Sequence, residues 1–145
     1  MFDVTRRSSI GLGVSSLIGL TVSASGSHTI KPVKAKLFEH TFLKANEGLR
    51  DQLRRFIVEN WFRMDQKGLE QGIFTSYQLL EETEENAMWD YVMVVGYPTD
   101  LGYSDPVTTE RFTEIRKAHV EVKIDGRGLA ELGKVVGDHR LKVVV

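Results

Sequence analysis

The segment WDYVMVVGY, Trp89 to Tyr97, holds Val92, Met93, Val94 and Val95 in unbroken succession. Successive side chains of a strand point to opposite faces, so an unbroken apolar run reads as a strand covered on both sides. The sheet that contains it needs helices on one face and some other cover on the second. KLFEHTFLK, Lys36 to Lys44, carries the same message. Phe38, His40 and Phe42 fall on one side, Leu37, Thr41 and Leu43 on the other, and neither side is cleanly polar.

Between these strands lies a helical pattern. Leu49, Leu53, Phe56, Ile57, Trp61 and Met64 fall within about 140° of arc at 100° per residue, one face of a helix. Asn46 is placed to cap it, and Gly68 or Gly72 to end it. IFTSYQLLE, Ile73 to Glu81, reads as a half-buried strand, followed by a polar turn through Asn86. Ser104 or Asp105 caps a second helix with Pro106 in its first turn. Phe112, Ile115, His119 and Val122 form that helix's inner stripe. IDGRG breaks the pattern, LAELGKVV suggests a short third helix, and RLKVVV is the closing strand.

The order strand, helix, strand, strand, helix, short helix, strand predicts an α+β, ferredoxin-like split βαβ fold. Its four-stranded antiparallel sheet has the helices on one face. The other sheet face is then apolar and bare, and a second copy is its natural cover. A homodimer through that open sheet face is expected.

FIVENWFRMDQKGLEQGIFTSYQLLE, WDYVMVVGYP and RFTEIRKAHV together resemble the dimeric α+β barrel superfamily over roughly residues 36 to 145. That group includes antibiotic-biosynthesis-type monooxygenases and stress-responsive barrel proteins. The resemblance implies a pocket between helices and sheet, and activities from cofactor-free oxygenation to lactone isomerisation. Its haem-degrading members use an Asn, a Trp and a His. The first strand has no Asn and the trio finds no matching positions, so those roles are not carried over.

The amino terminus reads differently. TRRSSIGLGVSSLIGLTVSASG places Arg6 and Arg7 before a short, Gly/Ser-diluted apolar run, with small residues Val22 and Ala24 at a cleavage site. Thr5, Arg6 and Arg7 resemble the twin-arginine export signal, although Ser9 stands where that signal has Phe. Residues 1–24 are therefore expected to be an export signal peptide, 25–35 a flexible lead-in and 36–145 the barrel domain. The mature protein is expected in the periplasm or secreted, meeting the membrane only transiently.

Nineteen basic and 20 acidic residues interleave along the chain for a net charge of −1. No basic face is set up for nucleic acid, and no such partner is expected. The absence of cysteine removes disulfides, thiolate nucleophiles and cysteine metal sites. The four histidines show no metal-ligand spacing, so no metal and no cofactor is expected.

Chemistry must then come from polar residues on inward faces. His119, mid-stripe on the second helix, is the candidate general base or acid. Bonded to a backbone carbonyl, it is instead a packing residue. Tyr77 and His40 are the other candidate catalytic groups. Tyr77 and Tyr91 sit on strands read as central, where their hydroxyls could orient a phenol or quinone. Trp61, Trp89 and Tyr91 are candidate walls of a ligand pocket. Asp65, near the end of the first helix, reads as a solvated acid, with Arg63 or a ligand as its alternative partner. The expected function is cofactor-independent oxygenase or isomerase chemistry on a small aromatic molecule. The alternative is a non-catalytic periplasmic ligand-binding or stress-related protein.

Overall fold

A computed structural model describes residues 32–145. The expected export signal, residues 1–24, and residues 25–31 of the lead-in lie outside the described residues. From Pro32 to Lys36 the chain has no regular structure, and β1 (Leu37–Ala45) then begins.

β1 pairs antiparallel on both sides, with β3 (Tyr91–Tyr97) and with β4 (Gly133–Lys142). β2 (Ser76–Glu81) pairs antiparallel with the outer side of β3. The strand order is β2-β3-β1-β4, that of a split βαβ fold. β1 and β3, the two segments with apolar residues on both faces, are the central strands, as their composition requires. Tyr77 lies on β2, an edge strand rather than a central one, because β3 spends both its sides on β1 and β2.

Register divides the side chains into two faces. Leu37, Thr41, Leu43, Tyr91, Met93 and Tyr97 face the helices. Phe38, His40, Phe42, Val92 and Val94 face the other way, joined by Leu80 from β2 and by His139 and Leu141 from β4. A bulge in the β1–β4 ladder lies between Phe42 and Leu43.

The first helix is three joined pieces: α1 (Arg50–Phe56), a π-helical turn (Ile57–Trp61) and α2 (Phe62–Glu70). It starts later than Asn46 would place it, since Gly48 turns the chain at φ 73°. The Asn46 side chain instead donates to the Glu131 carbonyl, at 2.9 Å. Beyond α2, Gly72 takes φ 72° and ends the helix.

A 3₁₀ turn (Gly102–Ser104) leads to α3 (Pro106–Ala118). Asp105 caps α3, its Oδ2 accepting from the Thr108 N–H at 3.0 Å, and Pro106 opens the first turn. α3 ends at Ala118, one residue short of His119, which adopts an extended conformation as the cap. The expected stripe therefore breaks before His119 and Val122. The short α4 (Leu129–Leu132) gives way at Gly133 directly to β4, so GKVV is strand and the last strand is far longer than RLKVVV suggests.

The core between helices and sheet is in two parts. One gathers Leu43, Leu53, Phe56, Ile57, Tyr91, Met93, Ile124 and Leu132. The other gathers Leu37, Ile73, Phe74, Tyr97 and Ile115. Val95 touches both.

Candidate functional site

Where the two core clusters face each other the packing opens into a cavity of about 410 Å³. Thr41, Met93 and Val95 form its floor on the sheet, and Trp61, Phe74 and Phe112 form walls. Its polar groups are Asp65, Tyr97, Tyr103 and Arg116. Volume and apolar lining with a few converging polar groups suit a small organic ligand.

The helix geometry explains how Asp65 comes to be inside. A uniform helix puts Met64 on the inner stripe and turns Asp65 a further 100° away. The π turn at Ile57–Trp61 inserts about one residue into the winding, so the stripe after it slips toward the carboxy terminus. The buried positions run Leu53, Phe56, Ile57, Asn60, Asp65 and Gly68. Asp65 is 6% exposed, and no ion pair or hydrogen bond reaches its carboxyl among the described residues. The carboxyl is not the solvated acid its sequence position suggests, and Arg63 pairs with Glu59 rather than with it. Burial alone pushes the Asp65 carboxyl up to about 7.

Close approach at two glycines shapes the walls. Phe74 lies against Gly68, where a Cβ would come within 2.5 Å of its ring. Gly102, at φ 57°, sits against Leu37 and Glu39 with no room for a side chain. That approach lets the Glu39 carboxylate accept the Tyr103 backbone N–H at 3.2 Å, delivering Tyr103 to the cavity. Glu39 also pairs with Arg140 Nε at 3.2 Å. Tyr97, with Glu39 beside it, has its hydroxyl held far above the ordinary phenol range, first by burial and then by that carboxylate. It is a donor that stays protonated. Tyr97, Phe74, Phe112 and Tyr103 form an unbroken aromatic wall with ring centroids 5.2, 5.0 and 6.0 Å apart in sequence.

The residues singled out from sequence distribute over three places. Trp61 lines the cavity. His119 and Tyr77 share a separate groove of about 690 Å³, wide and open to solvent, with Arg63, Lys67 and Glu70 around it. Tyr77 donates to Gln66 Oε1 at 2.7 Å and packs its ring on Phe62. His40 lies on the opposite face of the sheet, directly across from His139. Trp89 is near it, 4.8 Å from the Phe42 ring. Tyr91 is buried in the first core cluster, its hydroxyl donating to the Arg50 carbonyl at 3.1 Å. His119 and Tyr77 therefore share one groove, and His40 lies apart from both.

The His119 ring is bonded to another side chain. Its Nε2 lies 2.9 Å from Oδ1 of Asn60, a buried residue inside the π turn. Asn60 Nδ2 donates to the carbonyls of Phe56 and Val122, at 3.0 and 2.9 Å, and Oδ1 accepts the Val122 N–H at 2.7 Å. Those backbone partners fix which end of the amide is oxygen. His119 Nε2 must then carry the proton, which leaves Nδ1 as the acceptor in the neutral ring.

Sequence reasoning missed Asn60, Tyr97, Tyr103 and Arg116 and misplaced Asp65. The signal for the first and last was an Asn and an Asp close to an apolar helical stripe. Only the π turn gives it meaning.

No family model matches this chain, and no curated protein matches it by sequence. Among solved structures it is similar to the crystal structure of PA3566 from Pseudomonas aeruginosa, at 15% identity and a TM-score of 0.49, over 78% of this chain and 98% of that one.

Proposed function

We propose that this protein is a dimeric α+β barrel enzyme that holds a small aromatic molecule in the Asp65 cavity and moves a proton on it. The observation that carries the reading is the unpartnered Asp65 carboxyl inside an aromatic-walled cavity. A buried acid without a partner costs stability whenever it ionises, which is the usual trade at a working site. Titrating near neutral pH, it can take a proton from an acidic C–H or O–H and return it elsewhere. Returning it to a second atom of the same substrate is isomerisation. Reaction of the substrate's carbanion with dioxygen is cofactor-independent oxygenation. Tyr97 would hold the substrate oxygen on which charge develops.

The test uses 2-tetralone, whose C1 protons are acidic, as a probe. Deuterium incorporation from D2O should be faster with the protein than without it. Asp65→Asn should abolish the difference while keeping the native circular dichroism spectrum. Equal exchange with both proteins would sink the proton-transfer reading.

His119 and Tyr77 are the rival acid–base pair, supported by their lining one groove with room for a ligand. His119→Ala distinguishes the two: loss of exchange in that variant, with Asp65→Asn unaffected, moves the site to the groove.

The bare sheet face supports the homodimer. It presents Phe38, Phe42 and Val92 alongside Leu80 and Leu141, the last two 48% and 49% exposed. The Arg6–Arg7 pair and the short apolar run after it support export to the periplasm or beyond, with cleavage near Ala24.

A further inference from the structure

The cavity has two charged residues in its wall, and they stand at different depths. Asp65 is buried, whereas Arg116 is exposed. Arg116 lies one helical turn after Phe112, so its stem continues the wall which that ring begins. Its Nη1 is 3.5 Å from the Tyr103 hydroxyl.

What surrounds Arg116 leaves its charge uncommitted. Glu114 and Lys117 pair with each other at 3.0 Å. Glu39, the carboxylate near Tyr103, is held by Arg140. Arg111, on the same helix, points to the Gln71 carbonyl. Among the described residues Arg116 makes no ion pair. A guanidinium without an ion pair, beside a phenol hydroxyl at the mouth of an aromatic cavity, is a receptor for a planar anion.

We infer that the ligand is an aromatic carboxylic acid, its carboxylate at the mouth on Arg116 and Tyr103 and a hydroxyl or keto oxygen at the far edge against Asp65. This rests on the reading of the cavity as a ligand site, and it assigns the class of molecule that enters. The rings lie among Trp61, Phe74 and Phe112, and the volume suits two fused rings. Polarity sets the direction of entry. An ionised group cannot follow the rings inward toward Asp65 without losing both its water and its cation.

The test compares three probes by calorimetry on the full chain: 6-hydroxy-2-naphthoate, its methyl ester, and 2-naphthol. The acid should bind about tenfold tighter than the ester, a difference of about 1.4 kcal/mol. Arg116→Gln should erase that ratio and leave the ester's affinity unchanged. Arg116→Lys should keep a reduced ratio, since a point charge replaces the fork. Arg116 is exposed, so neither variant threatens the fold. Acid and ester binding alike to the wild-type protein, or a ratio that survives Arg116→Gln, overturns the inference. In either case ester and naphthol binding still upholds the cavity as a ligand site. Failure of all three probes to bind overturns both.

Discussion

The side-chain amide of Asn60 holds the backbone of Val122 in both directions, accepting its N–H at 2.7 Å and donating to its carbonyl at 2.9 Å. This is the geometry of one rung of a β-ladder, supplied by a side chain. It ties the extended segment after α3 to the π turn, two regions with no ladder between them among the described residues.

Asn60→Ala removes those two bonds and two more, and leaves buried polar groups unmatched. It should cost about 2–4 kcal/mol in urea unfolding. Amide exchange at Val122 should rise with it. A variant with wild-type stability and a protected Val122 amide would show that the segment holds itself in place.

Asp65 makes a prediction of opposite sign. Its folded pKa of about 7 lies above the ordinary value of 3.8, so the folded chain keeps a proton that the unfolded chain has released. Stability contributed by this group is therefore greatest at acid pH, falls as pH rises from about 4 to about 7, and is level above that. Asp65→Asn should remove this slope. Its gain over wild type should be small at pH 4 and up to about 4 kcal/mol at pH 8. Urea midpoints measured across that range check it, and parallel wild-type and variant curves would show that the carboxyl finds a partner in solution.

At Gly102 a side chain meets two obstacles at once, a positive φ and the Leu37 and Glu39 side chains. Gly102→Ala should destabilise by roughly 2–3 kcal/mol and move Tyr103 away from the cavity. Thermal unfolding reads the first effect. Weaker binding of 6-hydroxy-2-naphthoate at a temperature where the variant remains folded reads the second.

On the bare sheet face, Leu141→Lys changes a half-exposed residue at the strand edge. It should leave the monomer's circular dichroism intact and shift sedimentation toward the monomer at micromolar concentration. Wild-type protein already sedimenting as a monomer there would contradict the covered-face argument.

The two central strands were legible because Val92 to Val95 are apolar without a break and Phe38 to Leu43 carry apolar residues on both faces, and such strands belong at the centre of a sheet. Asp105 followed by Pro106 was legible because capping is local chemistry. His119 was placed on a helix that stops one residue earlier. Periodicity does not register a helix end, and the residues beyond Ala118 continue the apolar spacing in an extended conformation. Asp65 was hidden for a related reason. A π turn leaves no mark on a helical wheel drawn at constant angle, yet it rotates everything after it. Tyr77 reads as central from the sequence yet lies at the edge, and its strand alternates like either.

A core in two parts with a hollow between them has a thermodynamic consequence. Each part holds its own share of the fold, and the residues bordering the hollow lack contacts on one side. A molecule that fills it acts as the missing side chain and welds the two parts into one cooperative unit. Occupancy would then register far from the cavity, as slower amide exchange in both clusters and a sharper melting transition.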